Sequence, residues 1–133
     1  MKPIKSSVTR ALPLGAYLDV CDNSGAKTLK ITNVRKLKTV KGRNAAAGVS
    51  DLIMGSVVKG KPEIRKKVVL AVVVRQQKEY RRADGTRVKF EDNACVIVKD
   101  EKGNPQGTIL KGAIPKEVTN RWPGVAKLAN IVV

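Results

Sequence analysis

The feature that most constrains the fold is an unbroken apolar run, VVLAVVV, at residues 68–74. Valine is β-branched and favours strands, and a run of seven apolar residues is too short to cross a membrane. A continuous apolar run is typical of a strand that is covered on both faces. We therefore expect residues 68–74 to form the most buried strand of a β-protein.

The rest of the chain reads as further short strands separated by turns. Alternating or apolar segments at 16–21, 27–37, 52–60, 86–90 and 94–98 are bounded by Gly, Asn, Asp and Pro, with a loop at 42–51, a connector at 59–67 and a turn at 100–107. Short strands at this spacing are typical of a small antiparallel barrel, and closing the sheet removes exposed edges.

The C-terminal segment has a different pattern, which predicts short helices. Pro115 is suited to begin a helix and Pro123 to interrupt it. Val125, Leu128, Ala129 and Val132 then follow helical spacing. The chain of 133 residues fits a single domain, 1–133, with the barrel at about 15–112 and the helical part at about 113–133.

The charge is strongly one-sided. The chain has 27 Lys and Arg residues against 11 Asp and Glu residues, a net charge of +16. Such an excess indicates a polyanionic partner, and nucleic acid fits better than a membrane because there is no long basic amphipathic helix and no lipidation motif. With no secretory signal pattern either, we expect a soluble cytoplasmic protein.

Catalysis and metal binding have little support in the composition. The chain lacks histidine, Cys21 and Cys95 are its only cysteines, and neither lies in a C-x-x-C pattern. A four-ligand zinc site would need carboxylates, so we expect no cofactor and two small buried thiols. Glu91 and Asp92 are adjacent and would point to opposite faces of a strand, which makes them a poor catalytic pair.

Three basic clusters lie in or beside turns. They are RKLKTVKGR (35–43), KGKPEIRKK (59–67) and the hairpin segment KEYRRADGTRVK (78–89). Any one cluster could be a solvated loop, but three in one small domain favour binding to phosphates. Because the chain has only four aromatic residues, it is poorly equipped to stack on bases. We expect contacts with the phosphates, 2′-hydroxyls and shape of folded RNA.

The hairpin register can be predicted from pairing. A three-residue loop, Ala83-Asp84-Gly85 with Gly85 left-handed, pairs Tyr80 with Val88 and Glu79 with Lys89. A two-residue loop would instead place Arg82 opposite Arg87. The first register matches apolar with apolar residues and leaves Arg81 facing Arg87, a repulsive pair that an external anion would relieve.

The segment CDNSGAK (21–27) allows two interpretations. As structure, Asp22 and Asn23 suit a turn, Ser24 can cap it and Gly25 takes positive φ. As a site, Asn23 and Ser24 could hold a phosphate beside Lys27. With these residues included, the predicted RNA-binding set is Asn23, Ser24, Lys27, Arg35, Lys36, Lys38, Lys41, Arg43, Lys59, Lys61, Arg65, Lys66, Lys67, Lys78, Arg81, Arg82 and Arg87.

An ordered set of motifs resembles the universal large-subunit ribosomal protein L-fourteen family over about residues 15–133. The motifs are DNSGA (22–26), VVVR (72–75), RRADGT (81–86) and FEDNA (90–94), and KGKPEIRKKV (59–68) is similar to the archaeal and eukaryotic branch. Two positions depart from the family pattern: Ser50 stands where a Gly is usual, so the backbone there is expected to differ, and Ala113 stands where a Pro is common.

The resemblance implies a five-stranded β-barrel with a projecting β-ribbon and a small C-terminal helical part. It implies a structural protein that binds large-subunit rRNA near the sarcin–ricin region, at the face that meets the small subunit, with bridges to small-subunit rRNA. The implied protein partners are ribosomal proteins L-three and L-twenty-four-e and anti-association factor six. The residues that we assign to a protein partner are Arg121, Trp122, Leu128, Ile131 and Val132.

Two further interpretations remain open from the residues alone. One is a free nucleic-acid chaperone or single-strand binder, which would need aromatic residues on the barrel face. The other is a nucleic-acid-modifying enzyme, which would need an acid–base or metal constellation. The apolar C-terminus, Leu128, Ile131 and Val132, either packs on the barrel or meets a partner, and we favour packing.

Overall fold

The computed structural model describes residues 8–35 and 41–133. Its centre is formed by the strands β2 (Tyr17–Val20), β3 (Ala26–Val34), β5 (Leu52–Gly60), β6 (Val68–Arg75) and β9 (Ala94–Val98). They form a closed barrel in which each strand is hydrogen-bonded to the next, in the order β2-β3-β5-β6-β9. The predicted five-stranded barrel is therefore confirmed.

The barrel is mixed rather than wholly antiparallel. Four neighbouring pairs run antiparallel, whereas β2 and β9, which close the barrel, run parallel with Asp19 opposite Ala94. The reason is parity, because alternating directions around an odd number of strands must leave one pair pointing the same way. The prediction of an antiparallel barrel was wrong for this one pair.

The remaining elements are short. They are β1 (Leu12–Pro13), β4 (Ala46–Ala47), β7 (Tyr80–Arg81), β8 (Arg87–Val88), β10 (Ala113–Ile114), α1 (Lys116–Arg121), α2 (Pro123–Leu128) and β11 (Ile131–Val132). Outside the barrel, β7 and β8 form the hairpin, β1 pairs with β4, and β10 pairs with β11 in parallel. Neither described helix is long and apolar enough to span a membrane.

Two apolar clusters explain the continuous hydrophobic runs. Along β6, Ala71 and Val73 point into the barrel interior, whereas Val72 and Val74 pack in a second cluster with the helical residue Val118. Side chains alternate between the faces of a strand, so a strand that is covered on both sides needs apolar residues throughout. The C-terminal helices supply the outer cover.

The most buried strand is β9 and not β6. Every residue of β9 is buried, whereas β6 begins with Val68, whose side chain is 59% exposed. The prediction for 68–74 was wrong because the outer cover reaches only part of β6. The other strand predictions hold in place, apart from the ends of several strands and the short strand β4 inside the expected loop 42–51.

The C-terminal helices follow the prolines. Pro115 precedes α1 at the N-cap position without a side-chain capping bond, and Pro123 is the first residue of α2, a position where its missing N–H costs nothing. The predicted helical run through Val132 was wrong, because α2 ends at Leu128 and Val132 lies in β11 opposite Ile114. A tertiary ladder has overridden the local spacing there.

Candidate nucleic-acid interface

The basic segments lie at two ends of the barrel. Ala26 pairs with Gly60, so the turn 22–25 and the connection 61–67 share one end, which we call the loop end. The hairpin β7-β8 joins the last residue of β6 to the first residue of β9, at the opposite end, which we call the hairpin end. The segment 41–43, which precedes β5, belongs with the hairpin end.

At the loop end, the connection 61–67 is an ordered turn that directs cations outward. Ile64 is buried and anchors the turn, and main-chain bonds join Arg65 N to Lys61 O at 3.0 Å and Lys66 N to Val57 O at 2.8 Å. The side chains of Lys59, Lys61, Arg65, Lys66 and Lys67 are all exposed. A loop that is ordered by main-chain bonds positions its cationic side chains without engaging them in internal ion pairs.

Lys66 adopts a strained backbone in this turn. Its φ is 68°, in the left-handed region that residues other than Gly, Asn and Asp rarely adopt. Such a conformation costs about 1 kcal/mol and persists only where the surroundings enforce it. A lysine rather than a glycine at this position places its charge at the outer surface of the turn.

The polar side chains of the turn 22–25 form hydrogen bonds within the protein. Asp22 is buried, and its carboxylate accepts bonds from Ser24 N, Ser24 Oγ at 2.6 Å and Ile97 N at 3.0 Å. The Asn23 amide oxygen accepts from Thr108 N at 2.7 Å while its nitrogen donates to Thr108 Oγ1. The structural interpretation therefore accounts for Asn23 and Ser24, and Gly25 has the expected positive φ of 103°.

At the hairpin end, the predicted register is confirmed. Tyr80 is opposite Val88, Arg81 is opposite Arg87, and Gly85 has a φ of 92°. Glu79, however, accepts a bond from Arg87 Nη1 at 2.8 Å, so its salt bridge joins it to Arg87. Lys78 and Arg81 remain exposed, and Arg81 has no acid partner among the described residues.

Arg82, which was predicted to contact RNA, is turned inward. Its guanidinium donates to Glu117 Oε1 at 2.7 Å and to the main-chain oxygen of Val133 at 2.7 Å, and its side chain is only 13% exposed. Tyr80 also donates to Glu117, at 2.9 Å. These contacts fasten the hairpin to α1 and to the C-terminal strand.

The same contacts shift the acid–base properties of the group. Burial by itself raises the pKa of Glu117, but the bonds from Arg82 and Tyr80 outweigh it, so this pKa lies below its ordinary value. The pKa of Tyr80 is raised, first by burial and then by its bond to Glu117. Both pKa shifts favour an ionised Glu117 and a neutral Tyr80.

Arg75 forms a second internal clasp. Its guanidinium bonds both oxygens of Asp92, at 2.9 and 3.2 Å, and the main-chain oxygens of Lys111 and Ala113, at 2.9 and 3.0 Å. Sequence reasoning noted Arg75 only as part of a family motif. Its position after an apolar run, at the end of a buried strand, is the signal for a buried and fully bonded arginine.

The cluster 35–43 is only partly described. Lys41 and Arg43 are exposed, whereas Arg35 forms an ion pair with Glu101 and contacts the sulfur of Met54. Lys36 and Lys38, which were also predicted to bind RNA, lie outside the described residues. Lys41 and Arg43 therefore remain predictions with exposed side chains.

The residues assigned to a protein partner divide into two groups. Trp122 is buried and donates from Nε1 to the Ser50 main-chain oxygen at 2.8 Å, and Arg121 Nη1 donates to the same oxygen at 3.1 Å. Leu128 is half-buried against the second cluster. Ile131 and Val132 are 56% and 51% exposed, so the favoured prediction that they pack on the barrel was wrong.

Ser50 keeps a left-handed backbone. Its φ is 73°, so the chain at this position adopts a conformation that a glycine enters without strain. Ala113 lies in β10, and α1 begins three residues later. The serine thus carries a strain that a glycine would relieve.

The ion pairs reveal a division between the two basic residue types. All five salt bridges among the described residues use arginine: Arg35, Arg75, Arg82, Arg87 and Arg121. No described lysine forms one, although the acidic residues all lie in the described ranges. The charges of the described lysines are therefore not neutralised by an ion pair within the described residues, and the same holds for the exposed Arg43, Arg65 and Arg81.

The thiols behave as expected of core residues. Cys21 and Cys95 are buried and unpaired. Burial raises the pKa of the Cys21 thiol to about 11 and that of Cys95 well above its ordinary value. Protonated, inaccessible thiols are poor nucleophiles and poor metal ligands.

Comparison with known proteins identifies the family. The family described as "Ribosomal protein L14p/L23e" matches residues 11–133. The protein "Large ribosomal subunit protein uL14" from Nanoarchaeum equitans (strain Kin4-M) is 56% identical over the full length of both chains. Proteins of the same name from Methanococcus vannielii and Methanococcus maripaludis (strain C7) are 51% and 52% identical over 99% of both chains. The chain therefore belongs to the L14p/L23e family and is a ribosomal protein of the large subunit in the cytoplasm, not an enzyme.

Proposed function

We propose that this chain acts as one domain, 1–133, that binds large-subunit rRNA through exposed lysines and the outward arginines of its loops and ribbon. The observation that carries the proposal is the division of the cations. Every described salt bridge uses arginine, while the described lysines at the two barrel ends form none. Lysines of this kind are suited to act as point charges on phosphates.

The proposed interface has one part at each end of the barrel. Arg82 is left out because it is bound internally, and so are Asn23 and Ser24, whose polar groups hold the turn 22–25. The residues retained at the loop end are Lys27, Lys59, Lys61, Arg65, Lys66 and Lys67, and those at the hairpin end are Lys41, Arg43, Lys78, Arg81 and Arg87.

Two patches at opposite ends suit a protein that joins separate RNA segments. In a ribosomal protein of this family, we infer that one end binds large-subunit rRNA and that the other approaches the small subunit and contributes to a bridge with small-subunit rRNA. The barrel would then be a rigid spacer, since its strands form a closed ladder. A closed barrel has no edge strand that could pair with another chain.

The exposed C-terminal strand supports a protein contact beside the RNA interface. Ile131 and Val132 expose more than half of their side chains in a strongly basic protein, and β11 is held by main-chain bonds that leave those side chains outside. We infer that this strand, with Leu128 and Arg121, meets a protein neighbour such as L-twenty-four-e, L-three or anti-association factor six.

Salt dependence tests the RNA part of the proposal. The affinity of the purified protein for a large-subunit rRNA fragment should fall steeply with salt, and each lost phosphate contact should lower the log–log slope by roughly 0.7–0.9. An affinity that stays flat from low to moderate salt would refute the electrostatic account. For the protein contact, Ile131→Thr with Val132→Thr should weaken binding of factor six and leave RNA binding unchanged.

A further inference from the structure

We propose that Lys27, Lys61 and Lys111 form a phosphate-binding groove at the loop end, which takes the sugar–phosphate backbone of an RNA strand. This inference rests on the proposed RNA-binding function and deepens it by naming a site and the chemical group that it binds. Lys111 belongs to none of the three basic clusters, and only the fold brings it beside the other two lysines.

The groove is built from three separate segments. Its walls come from the turn 22–25 with the start of β3, from the end of β5 and from Lys111, and it encloses about 500 Å³. Sites of roughly 300–1,000 Å³ are typical of bound small molecules. The groove is therefore large enough to hold a phosphate with its sugar and not merely an ion.

Two glycines let the walls of the groove pack closely together. Gly25 and Gly60 have φ values of 103° and 154°, and a Cβ on Gly60 would lie only 2.7 Å from the Gly25 carbonyl oxygen. The Lys61 N–H donates to that same oxygen at 3.0 Å, which fixes the two turns together. The two glycines therefore let the turn 22–25 pack closely against the start of the connection 61–67, which brings Lys27 and Lys61 to the same groove.

The three lysines are held by their backbones and free at their ammonium groups. Lys27 follows the first pair of β3, Ala26 opposite Gly60, and Lys111 N donates to Cys21 O at 2.8 Å. The aliphatic stem of Lys61 lies over Gly25, where an added Cβ would be 3.2 Å from Lys61 Cδ. All three side chains are exposed, and none forms a salt bridge with a described acid.

The acid in the groove does not neutralise these lysines through an ion pair. Asp22 lines the wall, but its oxygens accept bonds from Ser24 and from Ile97 N and it is only 7% exposed. Three lysines therefore face one inward-bonded carboxylate. Because the lining has no aromatic ring and no arginine fork, the groove would recognise phosphates and not bases.

The test compares two double variants that remove the same charge. Lys27→Gln with Lys111→Gln empties the groove of two cations and leaves the Lys61 stem in place. Lys102→Gln with Lys127→Gln removes two exposed lysines elsewhere. Binding to a large-subunit rRNA fragment is measured across a salt gradient, and thermal unfolding checks that both variants fold.

The groove variant should lower the log–log salt slope by roughly 1.4–1.8, the value for two lost phosphate contacts, and the control should leave it unchanged. Lys111→Arg should restore most of the slope lost in Lys111→Gln. An equal fall in both double variants would overturn the groove while leaving RNA binding intact. A flat salt dependence in the unchanged protein would instead refute the proposed function itself.

A second arm identifies the source of the phosphate. The amide signals of Gly25 and Gly60 are followed by NMR during titration with the rRNA fragment or with inorganic phosphate. The RNA should shift them at concentrations at least a hundredfold lower than phosphate. Saturation by inorganic phosphate at the lower concentration, with no response to RNA, would assign the groove to a free anion and overturn the proposal.

Discussion

The two ends of the barrel use their positive charge in different ways. At the loop end, lysines extend from turns that are fixed by main-chain bonds and by a buried Ile64, and no acid engages them. At the hairpin end, Arg82 is bonded to Glu117 and Val133, and Arg87 to Glu79. The described Lys and Arg residues thus include cations that hold the fold and cations that remain available for an external partner.

The difference follows from the chemistry of the two side chains. A guanidinium is a planar fork that satisfies several acceptors at once, as Arg75 does with Asp92 and two main-chain oxygens. The ammonium group of a lysine sits on a flexible aliphatic stem and is well solvated. It therefore needs no partner within the protein and can pair with an external phosphate. The arginines that are bonded internally thus serve folding, whereas the exposed lysines and the exposed arginines without an acid partner in the described part of the chain, such as Arg65 and Arg81, are available for binding.

The largest expected effect comes from breaking the most buried clasp. Arg75→Met should destabilise the protein by about 3 kcal/mol, because it leaves Asp92 and two main-chain oxygens without their donor. Urea unfolding at neutral pH measures the loss. Arg81→Met, on the exposed side of the hairpin, serves as control and should cost less than about 0.5 kcal/mol. Equal losses in the two variants would erase the distinction between internal and external arginines.

The substitution Glu117→Gln should have the next largest effect on stability. It should destabilise the protein by about 1–2 kcal/mol at neutral pH, because Arg82 and Tyr80 lose a charged acceptor. The pKa of Glu117 is lowered by folding, so its stabilisation is complete above the ordinary value of 4.5 and is lost as pH falls through the folded value. The difference between the two proteins should therefore shrink in acid. A difference that is constant from pH 7 to pH 3 would contradict the charged clasp.

The hairpin tip should affect binding without affecting folding. Arg81→Ala with Arg87→Ala should lower the salt slope of RNA binding by roughly 1.4–1.8 and weaken incorporation into subunits. The free protein should lose no more than about 0.2–1 kcal/mol, the contribution of an exposed pair such as Arg87–Glu79. A clear loss of stability would show that these residues are structural, as Arg82 is.

The smallest effect is a gain. Ser50→Gly should stabilise the protein by about 0.5–1 kcal/mol, because Ser50 has a φ of 73° and glycine enters that region without strain. The main-chain oxygen that accepts bonds from Arg121 and Trp122 is retained in the variant. Thermal unfolding measures the gain, and a loss of stability would mean that the serine hydroxyl has a partner role that outweighs the strain.

The barrel could be predicted from the sequence because most of its strands and turns are specified by patterns of neighbouring residues. The runs at 52–60 and 94–98, Gly60 at the end of the first run and the three-residue turn at Gly85 each specify their own geometry. The parallel closure of β2 on β9 could not be read locally, since it depends on the number of strands in the sheet. The same holds for β11, where pairing with β10 overrides helical spacing at Val132.

The sequence predicted that the candidate site would be positively charged, but it did not predict which side chains the fold would bring together. Turn positions of the lysines at 59–67 identified exposed cations correctly. The inward turn of Arg82 depends on Glu117, thirty-five residues away, and Lys111 is held at the groove by bonds of its main chain to the distant residues Cys21 and Arg75. Contacts between distant segments leave no pattern around either residue in the sequence.

The most direct test of the central claim compares lysines and arginines at equal charge. The log–log salt slope for binding to a large-subunit rRNA fragment is measured for Lys66→Gln with Lys67→Gln and for Arg82→Gln with Arg121→Gln, under conditions where both remain folded. The lysine pair should lower the slope by roughly 1.4–1.8, and the arginine pair should leave it unchanged. An equal fall in both, or a fall only in the arginine pair, would contradict the division of roles.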